Sequence, residues 1–330
     1  MSRPRHALRA AGVAALVVVA AVLPSFISDY HALEWATVGT YFIALLGLNV
    51  LTGYSGQISL GHGAFMAVGG YTSAILMAHH GVRDLWTIPL AGLVAGGAGL
   101  LFGLPALRLS GLYLALATFA VAVAFPALVK KFEHFTGGSM GLILNLPKAP
   151  GGLHLSSNDW LYYLSWGIGF ALLGLGALVS RGRIGRSFRA IRDSEVAAAS
   201  SGVSPAFYKT LAFGISAFYA GIGGSLVAIE TAYVNPQTFP ITLSLFLVVG
   251  VAVGGLGSLV GCIFGAALIE FLPTVAPDIA RHAPSAIRDQ VTPSVIQGLI
   301  LVLVMLILPG GVAGLARLLE NRALGPRFER

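Results

Sequence analysis

The sequence predicts an all-α protein that crosses a membrane about ten times, and three observations support this fold class. Apolar residues make up 56% of the 330 residues, charged residues make up only 10%, and the mean hydropathy is +0.83. A water-soluble domain could not cover so much apolar surface. A membrane-spanning helix needs about 20 mainly apolar residues, and the chain contains roughly ten such runs with short connections. We therefore expect a single membrane domain over residues 1–330.

The predicted spans follow the apolar runs in order along the chain. They are Leu8–Ile27, Leu33–Leu51, Ile58–Ala78, Trp86–Leu107, Leu112–Val129, Leu161–Val179, Leu211–Ile229, Ile241–Val260, Cys262–Val275 and Val291–Leu308. The first run could be a signal peptide, but it lacks a small-x-small exit, so an uncleaved span is favoured. The ninth run is short and rich in glycine and alanine, so a half-span is an alternative for it.

The basic residues lie where signals for membrane orientation are expected. With ten spans and a cytoplasmic N terminus, fourteen of the twenty lysines and arginines fall on the cytoplasmic side. This excess agrees with the positive-inside rule and also makes the C terminus cytoplasmic. The net charge of +7 is concentrated at the ends of apolar runs, so we expect contact with membrane lipid and no binding of nucleic acid. The predicted location is the inner membrane of the cell.

A long polar interruption, residues 181–208, lies between the sixth and seventh predicted spans, and we call it the basic segment. Its apolar side chains recur at helical spacing, at positions Phe188, Ile191 and Ala198. A second face carries Arg189, Arg192 and Val196. This pattern predicts a short helix on the cytoplasmic side.

Helix-ending and helix-starting residues follow this predicted helix. Gly202 is placed to end it in the left-handed conformation. Ser204 and Pro205 are placed to cap and begin the next helix. From the residues alone, the basic segment is either an amphipathic helix on anionic lipid or a docking element for another protein.

The basic segment resembles a known family. The run from Gly185 to Lys209, continued by Leu211–Gly221, is similar to the cytoplasmic signature of permeases of branched-chain amino acid ABC importers, of the LivM type. In that family the segment is a coupling helix that docks on the ATPase subunit. The residues that match its acidic-x-Ala-Ala-x-x-x-Gly pattern are Glu195, Ala197, Ala198 and Gly202.

This chain departs from the general ABC importer consensus at one position. That consensus places the acidic residue directly before the two alanines, where this chain has Val196. The docking contact is therefore expected from Glu195, or instead from Arg189 and Arg192.

A second resemblance to the same family lies in the run Gly53–Phe65, between the second and third predicted spans. Its glycines weaken the helix, and its polar side chains are expected within the membrane or at its edge. Non-helical backbone at that depth is tolerated only where it is buried in protein or lines a water-filled cavity. The candidates for lining or gating a pathway are Gly53, Gln57, Ser59, Gly61 and His62. His62 has an alternative role as a packing histidine, because intramembrane polar groups also serve between helices.

A third run, Gly254–Ala266, resembles a glycine-rich turn of the family. It has no neighbouring lysine, so a tight turn between two spans is favoured over a phosphate loop. None of the four lysines follows a glycine, so the chain lacks the Gly-Lys-[Ser/Thr] signature of a nucleotide-binding loop. Asn49 and Gln297 are expected to form hydrogen bonds between helices.

The resemblance implies a non-catalytic type II ABC importer permease, without cofactor or metal, for branched-chain or related amino acids. Its implied partners are a homologous second permease chain, two cytoplasmic ABC ATPases and an extracytoplasmic substrate-binding protein. A permease for urea or short-chain amides is an alternative. An ion-coupled secondary transporter would need carboxylates at the membrane midplane, whereas Glu230 and Glu270 lie near predicted span ends. A channel or structural subunit would need no ATPase.

Overall fold

The computed structural model describes residues 16–109, 111–145, 155–281 and 292–315, together with residues 147, 149 and 318. Helices make up most of this part of the chain. They are α1 (Leu16–Ser25), α2 (Asp29–Asn49), α3 (His62–His80), α4 (Asp84–Ala106), α5 (Leu112–Lys131), α6 (Glu133–Thr136), α7 (Ser157–Arg181), α8 (Arg183–Asp193), α9 (Glu195–Ser200), α10 (Pro205–Thr231), α11 (Ile241–Gly254), α12 (Cys262–Arg281) and α13 (Pro293–Ile307). Two short strands, β1 (Leu142–Ile143) and β2 (Tyr233–Val234), pair in antiparallel orientation.

Seven helical segments of the described chain are long and apolar enough to cross a membrane. They are Asp29–Tyr54, Asp84–Pro105, Leu112–Lys131, Ser157–Arg181, Pro205–Thr231, Cys262–Ile279 and Val295–Leu315. The all-α, multi-pass fold class is therefore confirmed, but the exact number of ten spans is not. The first predicted span, Leu8–Ile27, lies partly outside the described residues.

Two of the helices are shorter than the predicted spans. Helix α11 has only 14 residues, because Gly255 and Gly257 take positive φ angles of 102° and 76° and turn the chain. The predicted end at Val260 was therefore wrong by six residues. Helix α3 has 19 residues and begins at His62 rather than at the predicted Ile58, because residues 56–61 are not helical.

The ninth span is longer in the structure than we predicted. We expected Cys262–Val275 to be short, whereas α12 continues through two internal prolines, Pro273 and Pro277, as far as Arg281. Proline inside a membrane helix is tolerated when neighbouring groups satisfy the freed carbonyls. The half-span alternative is therefore wrong for α12, and α11 is the short helix of this pair.

Helix α10 lies at the centre of the bundle, where it packs against α2, α3 and α4 and is almost entirely buried. Glycines allow these close approaches, as is typical of helices that pack in lipid. A Cβ atom at Gly69 would overlap the carbonyl oxygen of Gly221, and one at Gly224 would overlap the carbonyl oxygen of Met66. Backbone therefore contacts backbone along the interface between α3 and α10.

The two ends of the bundle differ in structure. The β1–β2 pair follows α6 and the end of α10, and near it the ring of His79, at the end of α3, is hydrogen-bonded to the carbonyl of Phe135. The basic segment lies at the opposite end, between the end of α7 and the start of α10. The connection between α2 and α3 reaches the same end, where Gly53 contacts Arg192 of the basic segment.

Candidate functional site

The chain is interrupted between α2 and α3, and we call residues 50–61 the α2–α3 break. Residues Val50–Tyr54 form one turn of π-helix, a distortion that often occurs at functional sites. Gly56 then takes a φ of +73°. The polar side chains of Ser55, Gln57 and Ser59 are buried. The second sequence motif therefore forms an irregular segment whose polar side chains are buried, while Gly56 and Ile58 are exposed.

Hydrogen bonds compensate for this irregular backbone. The amide of Gln57 donates to the carbonyl of Leu51 at 3.1 Å, and the side chain of Gln57 donates to the hydroxyl of Ser55 at 2.7 Å. The amide of Leu60 donates to the hydroxyl of Thr118 on α5 at 2.9 Å. Because buried backbone groups require partners, these bonds hold the break in one conformation.

His62 begins α3 and is only 1% exposed. Its Nε2 lies 2.9 Å from the carbonyl oxygen of Ala44 on α2, and its Nδ1 lies 3.4 Å from the hydroxyl of Ser216 on α10. A carbonyl can only accept, so Nε2 carries the proton and donates to Ala44. Both ring nitrogens therefore have partners on neighbouring helices, which is the geometry of a packing histidine.

The glycine-rich third motif contacts the end of α2 through Asn49. The side-chain amide of Asn49 donates to the carbonyl of Ser258 at 2.8 Å and to the sulfur of Cys262 at 3.2 Å. Its carbonyl oxygen accepts from the amide of Gly257 at 2.8 Å. The predicted role of Asn49 as a hydrogen-bond partner between helices is confirmed. The favoured interpretation of the third motif, a turn between two packed helices, is also confirmed.

Replacing Asn49 with leucine, which has a similar size, should destabilise the protein. The variant removes the part-buried hydrogen bonds to the amide of Gly257 and the carbonyl of Ser258, at a cost of about 0.5–1.5 kcal/mol for each bond. We expect a clearly lower melting temperature for Asn49→Leu in detergent. Asn158→Leu is the matched control, because the hydrogen bonds of Asn158 to Asp29 are exposed. Equal melting temperatures for the two variants would contradict the prediction.

The basic segment forms two helices, α8 and α9, whereas we expected one helix before Gly202. The additional break lies at Ser194, which has extended backbone angles (φ −162°, ψ 114°), and its hydroxyl caps the amide of Ala197. We predicted a break at Gly202, Ser204 and Pro205, and the break at Ser194 is an additional one that we did not predict. Serine is a preferred N-cap residue, and Ser194 before Glu195 was the signal that could have located this break.

The predicted end of the helix is confirmed at Gly202, which has a φ of +81°. The amide of Gly202 donates to the carbonyl of Ala199, and the amide of Val203 donates to the carbonyl of Ala198, both at 3.0 Å. These two bonds form a Schellman motif. The predicted start of the next helix is also confirmed, because the hydroxyl of Ser204 caps α10.

The charged candidates of the basic segment are bound to the rest of the chain. Arg189 donates to the carbonyl of Ser180 at the end of α7 at 3.0 Å, and Arg192 donates to the carbonyl of Gly53 at 2.5 Å. Glu195 forms an ion pair of 2.5 Å with Lys209 on α10. These contacts join two sequence motifs that are distant in the chain. The residues alone did not indicate them.

The free surface of α9 is small and apolar. Ala198 is buried at 3% exposure, whereas Val196 is 81% exposed and Ala197 and Ala199 are exposed beside it. At the start of α10, Phe207 is 61% exposed. Exposed apolar side chains that form a contiguous patch are typical of contact sites for a partner.

The predicted pathway residues divide into two groups. Gly53 and Gln57 lie beside the basic segment, where the side-chain amide of Gln57 reaches the carbonyl of Lys209 at 3.5 Å. Ser59, Gly61 and His62 lie deeper among the helices and are buried. None of them lines the groove of about 380 Å³ between α4, α7 and α10, whose lining is apolar. Their role in a pathway stays a prediction.

Glu230 lies in the last turn of α10, at the end of the bundle opposite the basic segment. Its carboxylate accepts a hydrogen bond of 2.5 Å from the hydroxyl of Thr40 on α2. Glu230 is thus near a helix end, as predicted, although it is only partly exposed.

These features define the class of protein. The chain is a multi-pass α-helical membrane protein with an irregular buried segment that contacts a pair of short helices outside the bundle. It belongs to the family described as branched-chain amino acid transport system / permease component, whose family model matches residues 33–308. The matched region contains all three sequence motifs, so the resemblance stated from them is confirmed.

Several curated relatives are similar to this chain. The high-affinity branched-chain amino acid transport system permease proteins LivM of Salmonella typhimurium and Escherichia coli are each 36% identical over 282 residues, which is 77% of this chain and 65% of theirs. The chain thus spans slightly less than two thirds of their length. BraD of Pseudomonas aeruginosa is 24% identical over 320 residues, covering 86% of this chain and 96% of BraD. No solved structure matches the chain.

Proposed function

We propose that this chain is the membrane-spanning permease subunit of an ATP-driven importer for branched-chain or related amino acids. The observation that carries the proposal is the family match over residues 33–308. The chain makes and breaks no bonds in this function, and a separate ATPase supplies the energy. The membrane is the inner membrane, with the basic segment and both termini in the cytoplasm and the β1–β2 end outside, in agreement with the positive-inside rule.

The geometry of the basic segment supports docking of an ATPase on α9. Val196 is 81% exposed and lies beside the small exposed side chains of Ala197 and Ala199, so a partner can approach this part of the helix closely. Glu195, Arg189 and Arg192 bind other parts of this chain. We therefore assign the docking contact to the apolar face of α9, and we assign to the charged residues the task of holding that helix in place. A second permease chain and an external substrate-binding protein complete the proposed assembly.

Co-purification tests the partner, and transport tests the function. The chain is expressed with the permease, ATPase and binding-protein genes that neighbour its own gene, then purified and reconstituted into vesicles. We expect ATP-dependent uptake of leucine, isoleucine or valine that a proton or sodium gradient alone does not drive. Uptake of urea in place of these amino acids would reassign the substrate, and gradient-driven uptake without ATP would contradict the proposal.

Val196→Arg tests the docking face directly. The buried interface cannot accommodate an unpaired charge, so we expect the amount of co-purified ATPase to fall about tenfold. Met140→Arg is the matched control, because Met140 is similarly exposed, at 86%, and lies at the opposite end of the bundle. Equal amounts of ATPase with both variants would show that α9 is not the docking face.

A further inference from the structure

Arg192 connects the basic segment directly to the α2–α3 break. Its guanidinium donates to the carbonyl oxygen of Gly53 at 2.5 Å, across 139 positions of sequence. A hydrogen bond from a charged donor is about twice as strong as a neutral one. The acceptor lies where the π-helical turn ends, and Gly53 itself is buried. The contact therefore joins a surface helix to backbone within the protein.

The stem of Arg192 packs closely on the same part of the chain. Gly56 faces it, and a Cβ atom at Gly56 would lie 2.8 Å from Cγ of Arg192. The φ of +73° at Gly56 is also a conformation that glycine adopts without strain. Two features of one glycine, its missing side chain and its backbone angle, thus allow α8 to rest on the break.

Apolar packing connects the same elements. Phe188 of α8 is fully buried in a cluster with Val50 and Leu51 of the break and with Ala212 and Phe213 of α10. This cluster is separate from the main apolar core of the described bundle. The cluster packs α8, the break and the start of α10 against one another, together with Leu114 of α5.

A second polar connection runs in parallel. Glu195 at the start of α9 pairs with Lys209, and the side chain of Gln57 reaches the carbonyl of that lysine. Two polar connections thus reach the break, one through Arg192 and one through Lys209. If α8 and α9 are displaced, these contacts can transmit the movement directly to residues 53–57.

We propose that Arg192 is a positioning residue that ties α8 to the α2–α3 break, so that the two move as one unit when an ATPase displaces the basic segment. This inference rests on the proposed function and goes beyond it, because it assigns Arg192 to transmission within this chain instead of to the ATPase contact. The movement is delivered to the segment where α2 ends and α3 begins. Because buried His62 begins α3 directly after the break, a movement of the break would next reach the interior of the bundle.

Transport by Arg192 variants of the complete reconstituted transporter provides the first test. Arg192→Met keeps most of the stem but removes the donor, so we expect uptake per ATP hydrolysed to fall about tenfold while the ATPase still co-purifies. Arg192→Lys retains a donor and should retain most of the uptake. Arg186→Met is the matched control, because Arg186 binds only the nearby carbonyl of Arg181.

The outcomes separate this inference from the proposed function. Loss of the co-purified ATPase in Arg192→Met would show that Arg192 is required for docking itself, and wild-type uptake per ATP would show that the link transmits nothing. Either result overturns the inference and leaves the permease function intact. Absence of ATP-dependent uptake in the unaltered protein would instead contradict the proposed function.

A distance measurement tests the common movement without relying on uptake. Spin labels at Ile58→Cys on the break and at Asp193→Cys at the end of α8 are introduced into Cys262→Ser, because Cys262 is the single native cysteine. With Arg192 present, we expect the same label distance with and without ATP. In Arg192→Met, we expect the distribution to broaden or shift. A nucleotide-dependent shift with Arg192 present would overturn the inference.

Discussion

Replacing Gly224 with valine is expected to destabilise the packing of α10 on α3. The added side chain would overlap the carbonyl oxygen of Met66 and lie 2.8 Å from its Cα atom. These are backbone atoms of α3, so no side chain can rotate away to make room. Overpacking costs about 1–3 kcal/mol even where side chains can adjust, and here the cost should reach or exceed that limit.

The measurement for Gly224→Val is thermal unfolding in detergent, followed by size-exclusion chromatography. A cost of about 3 kcal/mol corresponds to a decrease in melting temperature of roughly 4 °C for a chain of 330 residues, because the unfolding entropy is about 2.1 cal/mol/K per residue. Gly174→Val is the matched control, because a Cβ atom at Gly174 on α7 would meet nothing within 4 Å. A melting temperature for Gly224→Val that equals that of the control would show that α3 and α10 can separate at little cost.

Replacing Gly202 with valine is expected to uncouple ATP hydrolysis from uptake while the assembly stays intact. Gly202 has a φ of +81°, and a Cβ atom there would meet nothing within 4 Å. The effect of valine is therefore confined to the backbone, where the left-handed conformation costs a non-glycine residue about 1–2 kcal/mol. The variant should break the hydrogen bonds of the Schellman motif. The orientation of α9 relative to α10 would then no longer be fixed.

Uptake per ATP hydrolysed in reconstituted vesicles measures the effect of Gly202→Val. We expect a fall of about tenfold, the factor that corresponds to 1.4 kcal/mol. Gly202→Asn should stay close to the wild type, because asparagine tolerates the left-handed conformation better than β-branched residues do. Wild-type uptake per ATP by Gly202→Val would refute this role for the helix end.

Several local predictions from the sequence were accurate, and they share a physical basis. The left-handed helix end at Gly202 and the serine cap at Ser204 follow from the chemistry of one or two adjacent residues. The prediction that Asn49 bonds between helices follows from the cost of an unpaired amide among apolar side chains. In each case the deciding interaction lies within a short stretch, or within a single side chain and its environment.

Predictions failed where a helix ends, bends or continues for reasons that the apolar pattern does not show. Helix α11 ends at Gly254 because the following glycines turn, and α12 passes through Pro273 and Pro277 because the bundle accommodates them. The break at Ser194 was missed because the apolar spacing continues across it. Hydropathy alone does not distinguish a continuous apolar helix from two helices joined by a bend.

By itself, the sequence determined that this is an all-α, multi-pass membrane protein of the branched-chain amino acid permease family, because apolar composition, helical spacing and short motifs are local properties. Only the tertiary structure decided that Arg192 binds the carbonyl of Gly53 and that Asn49 binds the turn at Ser258, across 139 and 209 positions. Such contacts depend on how the helices pack, and an acceptor that is a backbone carbonyl carries no signature in the residue type. For that reason the three motifs were recognisable separately, while their meeting around the α2–α3 break was not.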